Sequence, residues 1–219
     1  MNKDILALGS DQKMTMSPQQ RKIISISAGI GAFLVAALLI GFWSDYFARR
    51  VTPDIFPRLS SVDYSLPATT GEDIRIKDLT GQPVAMFFGF THCPEVCPVT
   101  LYTLTEMTTS LGDKGNDLQI VFVTVDPERD SIPQLQSYIG AINENAIGLS
   151  GDPAIHKEVE KAFRVFAQKT PLDDGDYTMD HTATVYLYAP DGRLSGTIAW
   201  GEPYEFAFAK IKSVLGIKS

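Results

Sequence analysis

An apolar run at residues 84–90 (Val-Ala-Met-Phe-Phe-Gly-Phe) leads almost directly into the only two cysteines of the chain, Cys93 and Cys97. Such an unbroken run predicts a strand that is buried on both faces, as in the parallel sheet of an α/β protein. A proline follows each cysteine and disfavours helical angles at the residue before it. We therefore predict a tight loop from Cys93 to Cys97 and a helix that begins at Pro98 and continues to about Leu111.

The two cysteines are placed for local chemistry. Unpaired backbone amides and the macrodipole at a helix start favour a thiolate over a thiol, and the thiolate is the form that attacks disulfides and binds metals. Because the cysteines are so close in sequence, a bridge between them would close too short a loop to join distant parts of the chain. The alternative is two buried thiols that act only as small apolar side chains, and the flanking prolines and the strand-to-helix junction disfavour it.

Strands and helices alternate along the rest of the chain. This alternation, followed by a terminal hairpin and a helix, specifies an α/β sandwich of the thioredoxin kind. The 219 residues, 44% of them hydrophobic, are enough to bury one such core but hardly two. The predicted strands lie at 84–90, 118–125, 146–150, 183–188 and 194–200, after a hairpin at 64–77; the predicted helices lie at 98–111, 131–142, 152–168 and 204–215, with an acidic surface loop at 171–176.

A second apolar run, residues 23–43, contains no charged side chain. At about 1.5 Å per residue it is long enough to cross a hydrocarbon layer of about 30 Å. It is too long for a signal peptide and lacks a small-residue cleavage site, so we predict an uncleaved single transmembrane helix in contact with membrane lipid. Residues 1–22 then form a short cytoplasmic tail, residues 44–61 a tether, and residues 62–219 the folded domain. A slight excess of positive charge before the run places that domain outside the cytoplasm.

Functional groups of open α/β sheets gather at the carboxyl ends of the parallel strands. Cys93 and Cys97 follow one such end, and Asp126 follows another. His181 stands just before the strand that begins at Ala183, so it reaches the same edge if that strand is antiparallel to the first two. A thioredoxin-like sheet has this arrangement. The formal net charge of -7 argues against nucleic acid as a partner of this edge or of any other surface.

Two thiolates and an imidazole suit a copper ion, because Cu(I) accepts three ligands and Cu(II) adds a weaker fourth. A structural zinc site usually has four protein ligands, and only three good ones are visible. For His181 two interpretations are open, a metal ligand or a histidine that is simply hydrogen-bonded at a strand end. Asp126 and Asp180 either orient the ligands through hydrogen bonds or cap turns.

Other side chains near these motifs are weaker candidates. His92 adjoins a cysteine, but neighbouring residues in a tight loop often point in opposite directions. Met179 is either an additional soft ligand or a core methionine. His156 lies between charged residues on a predicted helix and is expected to be solvated, whereas the apolar face of that helix is expected to carry a different set: Ile155, Val159, Ala162, Phe163 and Phe166.

Three motifs that follow one another along the chain resemble the signatures of the Sco/SenC family of copper-binding cytochrome c oxidase assembly proteins. The likeness spans residues 62–219, and the predicted membrane anchor agrees with it. The order of three motifs makes the resemblance specific, whereas two cysteines at this spacing alone would not. The motifs are Gly-Phe-Thr-His-Cys-Pro-Glu-Val-Cys-Pro at 89–98, Val-Asp-Pro-Glu-Arg-Asp at 125–130, and Asp-His-Thr at 180–182 ahead of Tyr-Leu at 186–187 and Pro-Asp-Gly at 190–192.

The resemblance implies a thioredoxin fold that faces the periplasm of a bacterium or the intermembrane space of a mitochondrion. It implies that Cys93, Cys97 and His181 bind one copper ion, which is used to assemble the dinuclear copper A site of cytochrome c oxidase subunit II. Other periplasmic copper carriers and thioredoxin-like reductases are further expected partners. An Arg-rich and Ser-rich transit peptide is not seen, which favours a bacterial inner membrane.

Two further functions use the same cysteines. A thiol:disulfide reductase or redox sensor would act on the cysteines of the same target and would need no histidine. The four-position spacing differs from the Cys-x-x-Cys of dedicated thioredoxins, which argues against efficient dithiol exchange. A peroxidase would use Cys93 beside Thr91, but the sequence identifies no arginine placed to assist it. Whether the protein is an enzyme is therefore left open at this stage.

Overall fold

The computed structural model describes Gly31 and residues 35–41, 56–173 and 175–218. The chain divides into two compact units, residues 1–53 and 54–219. In the first unit the described residues are helical and exposed. Most of the predicted anchor at 23–43 lies outside the described residues, as do the predicted tail and most of the predicted tether. Within the part of the chain that is described, no helix is long and apolar enough to cross a membrane.

The second unit contains nine described strands and four described α-helices. The strands are β1 (Ser65–Pro67), β2 (Asp73–Arg75), β3 (Val84–Gly89), β4 (Gln119–Thr124), β5 (Ile147–Leu149), β6 (Ala167–Pro171), β7 (Tyr177–His181), β8 (Thr184–Tyr188) and β9 (Leu194–Ala199). The helices are α1 (Val96–Ser110), α2 (Ile132–Gly140), α3 (Pro153–Ala162) and α4 (Tyr204–Val214). Short 3-10 helices lie at 59–61, 76–78 and 112–117.

Five of the strands form a central sheet in the order β5-β4-β3-β8-β9. β3 pairs in parallel with β4, and β4 in parallel with β5, whereas β8 runs antiparallel to β3 and β9 antiparallel to β8. Every residue of β3 is buried, as its unbroken apolar sequence predicts. The antiparallel direction of β8, on which the predicted position of His181 depends, is confirmed.

The starts of α2 and α3 follow from capping side chains. Ser131 accepts a hydrogen bond from the amide of Gln134 at 3.4 Å, and Asp152 accepts one from the amide of Ala154 at 2.7 Å. Each helix also has a proline in its first turn, where the amide would have no intrahelical acceptor. α2 packs against β5, and α4 packs against β8 and β9.

The predicted end of α3 is wrong. The helix ends at Ala162, because Arg164 adopts a left-handed conformation with φ of 54° that an α-helix does not tolerate. The chain then forms β6 and β7, an antiparallel hairpin outside the central sheet in which Ala167 pairs with His181. The sequence did not predict this hairpin. Of the predicted acidic loop at 171–176, Pro171 is the last residue of β6 and residues 172–176 connect the two strands.

The buried face of α3 also differs from the predicted one. His156 is only 1% exposed, so the prediction that it is solvated is wrong. His156, Val159 and Glu160 are the buried residues of the helix, and they share a face because they are three or four positions apart. Ile155 and Phe166, which were expected on the apolar face, are 37% and 52% exposed.

The folded unit begins before residue 62. The ring of Phe56 packs edge-on against Tyr186 at a centroid distance of 5.4 Å, and Leu59 is fully buried. The Leu59 amide donates a hydrogen bond to the carbonyl of Gly192, at 2.9 Å, in the turn before β9. Residues 56–61, the last part of the predicted tether, are therefore packed into the second unit.

Candidate metal centre

Cys97 lies in the first turn of α1, which begins at Val96 and not at Pro98. The predicted loop conformation of Cys97 is therefore wrong. Pro98 is the third residue of the helix, where a backbone amide has no intrahelical acceptor, so a proline is tolerated there. Cys97 is fully buried, whereas Cys93 lies in the preceding loop and is half-buried.

The sulfur of Cys93 caps the start of α1. It accepts a hydrogen bond from the amide of Cys97 at 3.4 Å, whereas Glu95 at the cap position makes no side-chain capping bond. The Cys97 side chain also stabilises this sulfur as a thiolate, and the nearby His181 side chain and backbone amides add to the effect. Together they lower the pKa of Cys93 to about 3. The hydrogen bond to Cys93, followed by burial, raises the pKa of Cys97, so the pair consists of one thiolate and one thiol.

His181 is the last residue of β7, and this strand brings its side chain to the cysteines. Its Nε2 lies 3.9 Å from the Sγ of Cys97, and its Nδ1 lies 3.1 Å from the carbonyl of Thr182. Phe90 packs perpendicular to the imidazole at a centroid distance of 5.6 Å and supports its orientation. When Nδ1 carries the ring proton and donates it to that carbonyl, Nε2 keeps a lone pair for a metal ion, which is the usual arrangement of a metal-binding histidine.

The spacing of these donors can be compared with the needs of a metal ion. With metal–nitrogen and metal–sulfur bonds of about 2.0 and 2.3 Å, two donors of one ion lie about 3.5–3.9 Å apart at angles of about 110–130°. The separation of 3.9 Å between Cys97 and His181 fits this range. Among the described residues no group of three His, Cys, Asp or Glu side chains is already close enough to hold a metal ion.

Asp126 is bound to the hairpin that carries His181. Its buried carboxylate accepts hydrogen bonds from the Nε of Arg129 and, at 2.9 Å, from the hydroxyl of Tyr177 in β7. Arg129 in turn donates to the carbonyl of Tyr177 at 2.9 Å and lies over its ring. Asp126 therefore acts on the position of β7 and touches neither cysteine, while Asp180 is exposed on β7 next to His181.

Asp130 is a positioning residue that the sequence did not single out. Its fully buried carboxylate accepts hydrogen bonds from the Thr91 amide at 3.0 Å, from the Thr91 hydroxyl at 2.6 Å and from the Thr124 hydroxyl at 2.6 Å. These bonds attach the loop before Cys93 to the end of β4. His92 faces the same carboxylate, with its Nδ1 3.8 Å from an oxygen of Asp130, and is therefore a poor candidate for a copper ligand.

The substitution Asp130→Ala is expected to lower the free energy of unfolding by about 3 kcal/mol or more. It leaves three donors without their acceptor, two of them on Thr91, and a bond to a charged group is worth about 1.5–3 kcal/mol. Urea denaturation measures the change. Asp130→Asn retains one carbonyl acceptor and should lose less. Equal stability of Asp130→Ala and the wild type would show that the Thr91 loop is held in another way.

Gly89, the last residue of β3, allows the thiol of Cys97 to approach the strand. A Cβ atom at this position would lie 2.8 Å from the Cys97 sulfur, 2.9 Å from the Phe87 ring and 3.0 Å from the Phe122 ring. These contacts are too short for a side chain, so glycine is needed where the strand ends at the site. A glycine within the apolar run at 84–90 is the sequence signal that could have indicated this close approach.

Gly89→Ala is expected to displace the Cys97 thiol and to cost about 2 kcal/mol of stability through overpacking. Copper affinity should fall with it, because Cys97 is one of the predicted donors. Gly196→Ala is the matched control, since a Cβ at that strand glycine would meet nothing within 4 Å. Thermal unfolding and copper titration of both variants test the prediction, and equal behaviour of the two would contradict it.

The fold and the site together define a class of protein. It is an α/β domain of the thioredoxin type in which a strand-to-helix junction carries two cysteines and a later hairpin brings an imidazole beside them. The model of the SCO1/SenC family matches residues 54–216, and the chain therefore belongs to the SCO1/SenC family. The resemblance seen in the sequence motifs is thereby confirmed.

Curated relatives are named for the same family. The mitochondrial SCO1 homolog 1 of Arabidopsis thaliana is 37% identical over 129 residues, which cover 58% of this chain and 39% of the relative. A SCO2-like protein of Rickettsia conorii is 35% identical over 177 residues, which cover 75% of this chain and 86% of the relative. The chain thus spans about half or less of the length of the mitochondrial relatives SCO1 of Arabidopsis and SCO2 of Danio rerio.

Solved structures of Sco proteins share the fold. The structure of Bradyrhizobium japonicum ScoI with copper bound has a TM-score of 0.63 at 39% identity, and the match covers 69% of this chain and 96% of the other. The crystal structure of Arabidopsis thaliana ScoI with copper bound has a TM-score of 0.65 at 31% identity, with 70% and 96% covered. These neighbours confirm the predicted thioredoxin-like α/β fold, and both are Sco proteins that bind copper.

Proposed function

We propose that this protein is a copper carrier that holds one copper ion through Cys93, Cys97 and His181 and delivers it during the assembly of cytochrome c oxidase. The approach of His181 Nε2 to within 3.9 Å of the Cys97 sulfur is the observation that carries this proposal. Thiolate and imidazole donors suit copper better than they suit magnesium or calcium. The copper-bound ScoI structures, at 39% and 31% identity, support copper as the cargo.

The three donors differ in a way that favours delivery. Cys93 is half-buried and already a thiolate at neutral pH, so it is ready to receive the cargo without losing a proton. Cys97 is fully buried and must lose its proton when copper binds. A recipient's ligands can therefore approach from the side of Cys93 and His181, which are partly exposed, and displace the buried sulfur last.

The place and the recipient of delivery are part of the same proposal. Residues 23–43 anchor the protein as a single membrane span with its C-terminal domain in the bacterial periplasm, or in the mitochondrial intermembrane space as the alternative. The uncharged 23–43 run supports an anchor, and the relative from Rickettsia conorii supports a bacterial setting. The recipient is the dinuclear copper A site of subunit II, as the family resemblance implies.

Metal content and X-ray absorption of the full-length protein in detergent test the ligand set. After reduction and loading with Cu(I), one copper per chain is expected, coordinated by two sulfur atoms and one nitrogen. The reason is that two thiolates and one imidazole complete a three-coordinate Cu(I) site without an external ligand. Coordination by sulfur alone, or by oxygen and nitrogen alone, would contradict the proposed set.

A second candidate is a thiol:disulfide reductase or redox sensor, which the low pKa of Cys93 favours. The Cys93 thiolate would attack a target disulfide and form a mixed disulfide, releasing one target thiolate. Deprotonated Cys97 would then attack Cys93, releasing the second target thiolate and leaving a Cys93–Cys97 disulfide. The target gains two electrons and the cysteine pair loses two. This activity needs no ligand from His181, which separates it from copper delivery.

A further inference from the structure

A cavity of about 320 Å³ lies between α3, the segment after β4 and the β6–β7 hairpin. Neither Cys93, Cys97 nor His181 lines it. The lining combines nitrogen, oxygen and sulfur donors with charged groups from three elements. The side chains that matter for its chemistry are His156, Lys157 and Glu160 of α3, Glu128, and Lys169 and Met179 of the hairpin.

His156 is the most unusual group in this lining. The side chain is 1% exposed, and neither ring nitrogen has a hydrogen-bond partner of normal geometry in the described residues, although the Thr124 carbonyl lies near the ring. Burial lowers the pKa of His156 to about 4, so the ring is neutral and retains a lone pair at neutral pH. A buried ring nitrogen without a partner costs free energy, which a metal ion or molecule in the cavity that pairs with it would recover.

Glu160 lies one turn after His156 on the same face of α3. It is 5% exposed, its Oε2 accepts a hydrogen bond from Lys157 at 2.7 Å, and its Oε1 has no hydrogen-bond partner in the described part of the chain. Residues four positions apart on a helix lie one above the other, a spacing that lets two side chains bind the same ion. An imidazole nitrogen and a carboxylate oxygen are therefore both unpaired at one cavity.

The charges around the cavity favour a cation over an anion. Lys157 is paired with Glu160 at 2.7 Å, and Lys169 is paired with Glu128 at 2.6 Å, so both ammonium groups are already neutralised. The groups left without a partner are donors of lone pairs, which bind cations. Met179, 7% exposed, adds a thioether, a ligand that prefers soft metals such as copper.

We propose that this cavity is a second metal site, which takes a divalent transition-metal ion through the imidazole of His156 and the carboxylate of Glu160, with the Met179 thioether as a third donor. Copper(II) is the preferred ion, because it stands highest in the affinity order of the divalent first-row metals. Water completes the coordination in a cavity of this size. The site is independent of the copper centre at Cys93, Cys97 and His181.

The test uses the full-length protein in detergent with Cys93→Ser, Cys97→Ser and His181→Ala combined, so that the first centre is absent. Titration with Cu(II) alone should show one bound equivalent, with the electron spin-echo signature of one coordinated imidazole. His156→Leu or Glu160→Ala added to this background should weaken binding at least tenfold. His92→Leu is the matched control, because it removes an exposed histidine by the same substitution and should leave the affinity unchanged.

Stability provides a second measurement that does not depend on the triple variant. In the wild-type background, His156→Leu should leave the metal-free melting temperature unchanged or raise it, since it removes an unpaired buried polar group. It should also reduce the Cu(II) stoichiometry of the wild-type protein from two to one. Lower metal-free stability of His156→Leu together with an unchanged Cu(II) titration would identify a purely structural histidine and overturn the proposal. Loss of the electron spin-echo signature of the coordinated imidazole in the His92→Leu variant would also overturn the proposal.

Discussion

His181→Ala is expected to lower the affinity for Cu(I) by at least about 100-fold, because it removes one of only three proposed donors. Loss of an outer group that merely supports a ligand already costs about 10–100-fold, so loss of the ligand itself should cost more. The two sulfur atoms would remain, but without the imidazole that approaches Cys97 at 3.9 Å the ion would need an external ligand. Competition with a chromophoric Cu(I) chelator under anaerobic conditions measures the affinity.

His92→Ala is the control for this experiment, since His92 is the other histidine close to the cysteines and its ring faces Thr91 and Asp130. Its copper affinity should equal that of the wild type. Reduction of a disulfide substrate should persist in the His181→Ala protein if the cysteine pair also exchanges disulfides. An unchanged Cu(I) affinity of His181→Ala would remove the imidazole from the site and leave a plain dithiol protein as the better description.

The parts of the fold that the sequence predicted well are those with local physical causes. The buried strand β3 was predicted because an unbroken apolar run has few alternatives to a doubly covered parallel strand. Ser131 and Asp152 predicted helix starts because a side-chain acceptor must satisfy the free amides of the first turn. The same local reasoning placed both cysteines at a helix N-terminus, with an error of two residues in where that helix begins.

The hairpin that carries His181 was not predicted. β6 and β7 pair with each other outside the central sheet. β6 is mostly exposed and lacks the apolar alternation by which strands are recognised, and in β7 the alternation is limited to Tyr177 and Met179. The apolar period of α3 also appeared to continue through Phe166, although Arg164 ends the helix. The approach of His181 to the cysteines was expected from the antiparallel direction of β8, but the element that holds the ring is β7.

The remaining gaps concern contacts between residues far apart in the chain. Asp130 accepts a hydrogen bond from Thr91, which lies 39 positions earlier in the sequence, and no local pattern around either residue predicts that the two are paired. The burial of His156 depends on how α3 packs on the segment after β4, whereas the charged neighbours in the sequence suggested an exposed residue. Gly89 carried a local signal that was not used, since a glycine that ends a buried strand indicates close packing.

Alkylation of Cys93 in the reduced, metal-free protein is expected to be nearly independent of pH between 5 and 8. Its pKa of about 3 means that it is a thiolate throughout this range, whereas the rate of a thiol with an ordinary pKa of about 8.5 rises about tenfold per pH unit. At pH 5 the thiolate fraction of Cys93 is about 3,000-fold larger than that of an ordinary thiol, which outweighs the lower intrinsic nucleophilicity of a low-pKa thiolate, so Cys93 should react faster than an ordinary thiol. Iodoacetamide kinetics with mass-spectrometric assignment separate it from Cys97, whose raised pKa and burial protect it. Cys97→Ala removes the strongest hydrogen bond to the thiolate and should restore a rise with pH, and such a rise in the wild type would contradict the prediction.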